Sequence, residues 1–305
     1  MNIESGTLAD VTVLAEGLKF PEGPVVLADG SIALTEIDAA TITRVGLDGT
    51  VDVVARCDGG PNGAALGPDG ALYVCNNGGR FASGNWTGGW IERIDLATGA
   101  VDVLYDSCDG RRLSGPNDIV FEADGGFWFT DTGKFRGRQR DVGSVYYAKP
   151  DGSLITEVVH PAESPNGVGL SPDGATLYYA ETVTGRLRRR RISGPGALQP
   201  AEPTDRATLV CGLPGHQMFD SLAVVSDGDI AIGTLLTGCV TVVSPDGATV
   251  TQWFLPPDLE DHLPTNLCFG GPDLATAYIT LAATGRLVAC PWPGSAPGLR
   301  LAFQL

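Results

Sequence analysis

Basic residues are scarce in this 305-residue chain: 20 lysines and arginines face 36 aspartates and glutamates, a net charge of −16. That balance excludes a general nucleic-acid binder, because neutralising phosphates takes a basic face. The acidity itself reads as a solubility feature. No run of 18 apolar residues occurs, so no segment is expected to span a membrane. Residues 1–5 lack a basic stretch leading into an apolar one, and no signal peptide is expected. The three histidines (160, 216, 262) include no pair at helical metal-ligand spacing. The seven cysteines (57, 75, 108, 211, 239, 268, 290) include no CxxC. These gaps argue against a zinc or redox centre and predict reduced, mostly buried thiols in a cytoplasmic protein. No stretch reads as a long amphipathic helix.

Turn formers are abundant instead, with 42 glycines and 21 prolines. An acidic turn followed by a short β-rich run recurs six times, at Asp29-Gly30, Asp69-Gly70, Asp124-Gly125, Asp173-Gly174, Asp227-Gly228 and Asp273-Leu274. The intervals are 40, 55, 49, 54 and 46 residues, the length of a four-stranded propeller blade. The expected fold is therefore all-β, a six-bladed propeller formed by one domain over residues 1–305. Residues 11–14 lack a preceding inner partner and are expected to close the ring by pairing near residues 299–303, which removes an exposed edge.

Seven residues before each turn stands a polar side chain: Glu22, Asn62, Asn117, Asn166, Asp220 and Asn266. At the start of six innermost strands these would form one ring of oxygens around the axial channel. Asn and Asp also suit the turn leading into a strand, but Glu22 does not. Two carboxylates facing each other in a narrow channel repel or gain protons, and a divalent cation removes the conflict. Oxygen ligands favour a hard ion: Ca²⁺ ranks first, with Mg²⁺, Mn²⁺, Zn²⁺ and Fe²⁺ behind it. The loops joining strands two and three lie on the same face and are long in two blades. Their Phe81, Trp86, Trp90 and Phe135 are candidate walls of a substrate pocket. His216 and His262, each four residues before a ring position, are further candidates to line it. Asp131 and Glu181, at the ends of second strands, are expected beside the site. Arg188 to Arg191 reads as a solvated edge.

The segments Phe20-Pro21-Glu22-Gly23-Pro24, Gly115-Pro116-Asn117-Asp118, Ser164-Pro165-Asn166-Gly167 and Phe219-Asp220-Ser221-Leu222 occur in this order at blade spacing. In them the chain resembles the senescence marker protein/gluconolactonase/luciferin-regenerating enzyme family over nearly its full length. The resemblance implies a divalent-metal-dependent lactonase with Glu22, Asn166 and Asp220 as ligands and Asn117 holding substrate or completing the metal shell. Phe81, Trp86, Phe135 and His216 would then line the pocket for a small-molecule lactone. Polarising the lactone carbonyl and activating a water calls for a metal and a base; Asp220 is the first choice for that base and Asp118 the second. Sugar-lactone members carry an arginine where this chain has Gly115, which suggests a substrate less polar than a sugar lactone. The alternatives are a non-catalytic calcium-binding or docking propeller, or other esterase-type chemistry on the same site.

Overall fold

The computed structural model describes residues 3–79, 88–201 and 205–304. Six antiparallel sheets succeed one another, each starting with a strand at the axis: Pro21–Val26, Pro61–Leu66, Pro116–Phe121, Pro165–Leu170, Met218–Val224 and Pro264–Gly270. Neighbouring inner strands pack against one another round to the first, so the sheets are blades one to six of a β-propeller. Helical structure among the described residues amounts to two short 3₁₀ turns, Arg206–Thr208 and Pro257–Leu259. None of it is long and apolar enough to cross a membrane.

The turn signal has a local cause. At Asp29, Asp69, Asp173 and Asp227 the carboxylate accepts the backbone N–H two residues on, at 3.0–3.2 Å. The glycine after each takes positive φ, between 66° and 97°. The hairpins joining strands three and four repeat the device at Asp48, Asp95, Asp151 and Asp246. Both sets of hairpins lie on the face opposite the axial ring. Much of the chain's acidity is thus spent on turns.

The apolar core is six wedges, one between each pair of neighbouring blades. Second strands such as Ile32–Glu36 and Phe127–Asp131 are buried on both faces. Trp128, Phe127, Phe129 and Tyr147 fill the wedges flanking blade three. The cysteines are free thiols, all buried except the half-buried Cys57.

The ring closes through both ends of the chain, but not with the expected partner. Thr12–Ala15 pairs antiparallel with Arg286–Pro291, Val13 opposite Val288, and so supplies the fourth strand of blade six. The chain cannot make that strand itself, because Pro293, Gly294, Pro297 and Gly298 follow the third. Residues 299–304 instead cross beneath the axis: the Leu299 N–H donates to the Val224 carbonyl (3.2 Å) and the Gln304 amide to that of Phe269 (3.0 Å). Phe303 packs edge-on against Phe121. Ile3–Thr7 adds a parallel fifth strand to blade five.

Candidate active site at the axial mouth

Each ring residue sits second or third in its inner strand. In five blades the strand starts with a proline or one residue from it, and in all six the ladder register slips at the ring residue or within two residues of it. The bulge turns the side chain out of the ladder and towards the axis. Glu22, Asn62, Asn117, Asn166, Asp220 and Asn266 are all 3–9 % exposed. Convergence demands small neighbours. A Cβ on Gly63 would stand 2.4 Å from the Asn117 carbonyl, and one on Gly167 2.5 Å from the Leu222 nitrogen.

The carboxylates are close enough to perturb one another. Burial, with Asp220 and Asp118 nearby, drives Glu22 well above the usual carboxylate range; the Gly23 N–H (3.2 Å) and the Asn266 amide offset part of this. Asp220 is pushed up to about 7 by burial and by Asp118, against the pull of the Asn166 amide. Burial also raises Asp118 to about 7, although it accepts the N–H groups of Ile119 (3.0 Å) and Val168 (3.1 Å). Asp118 does not face away from the channel. It lines a cavity of ≈ 80 Å³ on the axis, floored by Leu299, Leu301 and Ala302.

Two ring oxygens, Asn62 Oδ1 and Asn117 Oδ1, are buried without a hydrogen-bond partner. An amide oxygen in that state costs free energy unless something electropositive meets it. Among the described residues no three His, Cys, Asp or Glu side chains form a ligand cluster. Any ion here would depend on Glu22, Asp220 and amide oxygens together. Such a donor set, crowded carboxylates beside unsatisfied amides, fits a hard divalent cation.

Residues that sequence reasoning passed over hold the ring in register. The Thr35 hydroxyl donates to the Asn62 carbonyl (2.7 Å), Thr130 to that of Asn166 (2.5 Å), and Thr265 to that of Pro21 (3.1 Å), each crossing to the next blade. Cys75 makes the equivalent contact to the Asp118 carbonyl at 3.6 Å. A signal existed: Thr35, Cys75 and Thr130 each lie six residues after the turn aspartate (29, 69 and 124).

Asp131 and Glu181 act on the segments that lead into the inner strands. Asp131 accepts the N–H groups of Ser114, Gly115 and Gly133, all at 2.7–2.8 Å. Glu181 receives the Glu163 N–H and the Thr184 hydroxyl and pairs with Arg188 at 3.4 Å. Glu36 and Asn76 serve their blades alike, towards Lys19 N and Gly60 N. The arginine run is more engaged than a solvated edge: Arg189 and Arg190 donate to backbone carbonyls.

Phe81 and Trp86 lie outside the described residues. Phe135 is half exposed on a small hairpin, with the Arg140 guanidinium over its ring. Trp90 donates its indole N–H to Glu92 at the foot of its loop. His216 and His262 are exposed. Lys134, by contrast, is buried, and its ammonium donates to the Gly79 carbonyl at 3.0 Å. Its stem fills the space beside Gly115: a Cβ there would meet Lys134 Cε at 3.4 Å and the Gly133 carbonyl at 2.9 Å. The missing side chain at 115 therefore leaves no apolar gap.

Residues 20–283 match the profile of the SMP-30/gluconolactonase/LRE-like region. The chain belongs to this family. It is 31% identical over 205 residues to lactonase drp35 of Staphylococcus aureus, which covers 67% of this chain and 59% of that protein. With lactonase drp35 of Staphylococcus saprophyticus it shares 31% over 253 residues, 81% of this chain and 73% of that one. The chain thus spans about three-fifths of the Staphylococcus aureus relative. Among solved structures, a gluconolactonase from Xanthomonas campestris superposes with a TM-score of 0.74 at 25% identity, over 94% of this chain and 91% of that one. A calcium-binding regucalcin from Agrobacterium tumefaciens gives 0.75 at 21%, over 98% and 100%. That last likeness carries the propeller fold common to the family.

Proposed function

We propose that this chain, read as one unit over residues 1–305, opens a lactone ring by hydrolysis that depends on a divalent cation, Ca²⁺ foremost. The observation that carries this reading is the convergence of Glu22 and Asp220 with the unpartnered amide oxygens of Asn62 and Asn117. Membership of a family that includes lactonases supplies the substrate class.

Glu22, Asn166 and Asp220 would hold the ion, and Asn117 would face the substrate. A bound divalent ion contributes Lewis acidity towards the ester carbonyl. The rest falls to the chain. Asp220 takes the proton of the attacking water, a task suited to a carboxylate buried at the point of reaction. Asn117 donates its amide N–H to a substrate oxygen and holds the ring in place. Asp118 is already committed to two backbone N–H groups, which makes it a poorer base than Asp220.

Release of acid from a panel of lactones, with and without chelator, tests this. Chelator-sensitive, calcium-restored hydrolysis is the expected result. Ion binding with no acid released from any lactone would leave a calcium-binding propeller instead.

A further inference from the structure

Blades one to four and six clamp the segment that leads into the inner strand, and each does so twice. The backbone N–H just past the second strand donates to a carbonyl of that segment, as Thr132 does to Gly115 (2.9 Å) and Thr182 to Ser164 (3.1 Å). A side chain accepts from the segment's own N–H groups. It is Glu36, Asn76, Asp131 or Glu181, each last in its second strand, and Asp261 in blade six. Blade five has neither hold among the described residues. Its second strand ends in Leu235, which stands opposite Met218 as Glu181 stands opposite Pro165. The next N–H, that of Leu236, donates at 2.7 Å to His262 of blade six. Residues 213–217 are left with hydrogen bonds of the Gln217 side chain, to Thr237, Gln252 and the Pro214 carbonyl, all at 3.3–3.4 Å.

The seams of blade five are bare in the same way. Ala180 stands on the seam from blade four where Thr35 and Thr130 carry their crossing hydroxyls. Thr234 keeps its hydroxyl within blade five, on the Ile232 carbonyl and Thr241. The apolar wedge still anchors Phe219 and Leu222. At the mouth, however, the blade is tied through groups of the site itself. The Ser221 hydroxyl donates to Asn166 Oδ1 at 3.4 Å, the Asn166 amide to Asp220, and Ser221 and Leu222 to Asp118.

We propose that the rim of blade five, residues 213–217 with Asp220, is the moving part of this site, and that turnover uses its movement. A ligand shifts an equilibrium only as far as it treats the two states differently. Asp220 and Asn166, once they hold an ion, have to share the oxygens that now bond blade five to blade four, so this tie differs between the states. The inference rests on the lactone-opening reading for the work of Asp220: a carboxylate that is ligand and then base has to change its reach.

Hydrogen exchange in chelator and in Ca²⁺ tests the movement without turnover. In chelator the amides of residues 213–222 are expected to exchange about tenfold faster than those of residues 161–168 in blade four, and Ca²⁺ to slow them about tenfold. Leu235→Gln supplies the missing acceptor, as Asn76 does in blade two. It should slow exchange at 213–217 and lower kcat on γ-butyrolactone about fivefold, with calcium bound at least as tightly. Leu235→Met, of similar length and without that acceptor, should match wild type. Exchange at 213–222 no faster than at 161–168 would overturn the proposal, as would Leu235→Gln with wild-type exchange or wild-type kcat. If no lactone is opened, the lactonase reading fails, while the exchange ranking in chelator, which needs no substrate, still decides whether this rim moves. The same ranking decides should Leu235→Gln not fold.

Discussion

The Asp118 carboxylate of blade three accepts the backbone N–H of Val168 in blade four at 3.1 Å. Val168 is two residues past Asn166, so a side chain next to one ring residue fixes the backbone of another. With the crossings from Thr35, Thr130 and Thr265, it makes the ring a property of neighbouring blades rather than of any one strand. A site built this way is pre-organised before any ion or substrate arrives.

Asp118 therefore separates structure from chemistry. Asp118→Ala strands the buried Val168 and Ile119 N–H groups and should cost about 2 kcal/mol in urea unfolding. Calcium titration of the folded variant should still show binding. Loss of the ion with unchanged stability would reverse the assignment.

Asp220 is expected to behave differently. Asp220→Ala should abolish both calcium binding and lactone turnover, and Glu22→Gln should weaken the ion's hold. Calorimetric titration with Ca²⁺ and an acid-release assay check both variants. Near-normal turnover by Asp220→Ala would eliminate the proposed mechanism.

Gly63 and Gly167 test the close approach at the axis. An alanine at 63 forces its Cβ against the Asn117 carbonyl, a contact of 2.4 Å that only backbone movement relieves. Gly63→Ala should lose about 2 kcal/mol or more and lower calcium affinity as well. Gly70→Ala adds no contact, since nothing lies within 4 Å, but is strained by φ +76. It should lower stability while leaving calcium affinity intact, as measured by unfolding and titration.

Glu122 provides a pH signature away from the mouth. Burial, with Asp124 close by, raises its pKa to about 7, although the Trp128 indole N–H donates to it at 2.7 Å. Since the folded pKa lies above the unfolded value, the fold favours the neutral acid. Its contribution is complete below about pH 4.5 and disappears as pH rises through about 7. Glu122→Gln keeps an acceptor for Trp128 and cannot ionise. It should match wild type near pH 4.5 and exceed it by about 1 kcal/mol at pH 8, a figure reduced for the half-exposed carboxyl. Urea unfolding followed by tryptophan fluorescence at the two pH values measures the difference.

Six Asp-based turns at blade spacing determined the propeller, because they encode their hairpins locally: in four of the six a carboxylate accepts an N–H two residues on, and in five a glycine takes positive φ. The same count backwards located the six residues of the ring, since equivalent strands start at equivalent depths. Strand alternation was faint for a reason that only the packed blades supply. With wedges of core on both sides, strands such as Phe127–Asp131 have no solvent face to mark. The partner of Thr12–Ala15 depended on which edge of blade six was left open, and that is a matter of three-dimensional closure. Likewise, nothing in the spacing of Lys134, Gly79 and Gly115 brings them together. They meet because loops from two blades fold over the same rim, where distance along the chain no longer sets distance in space.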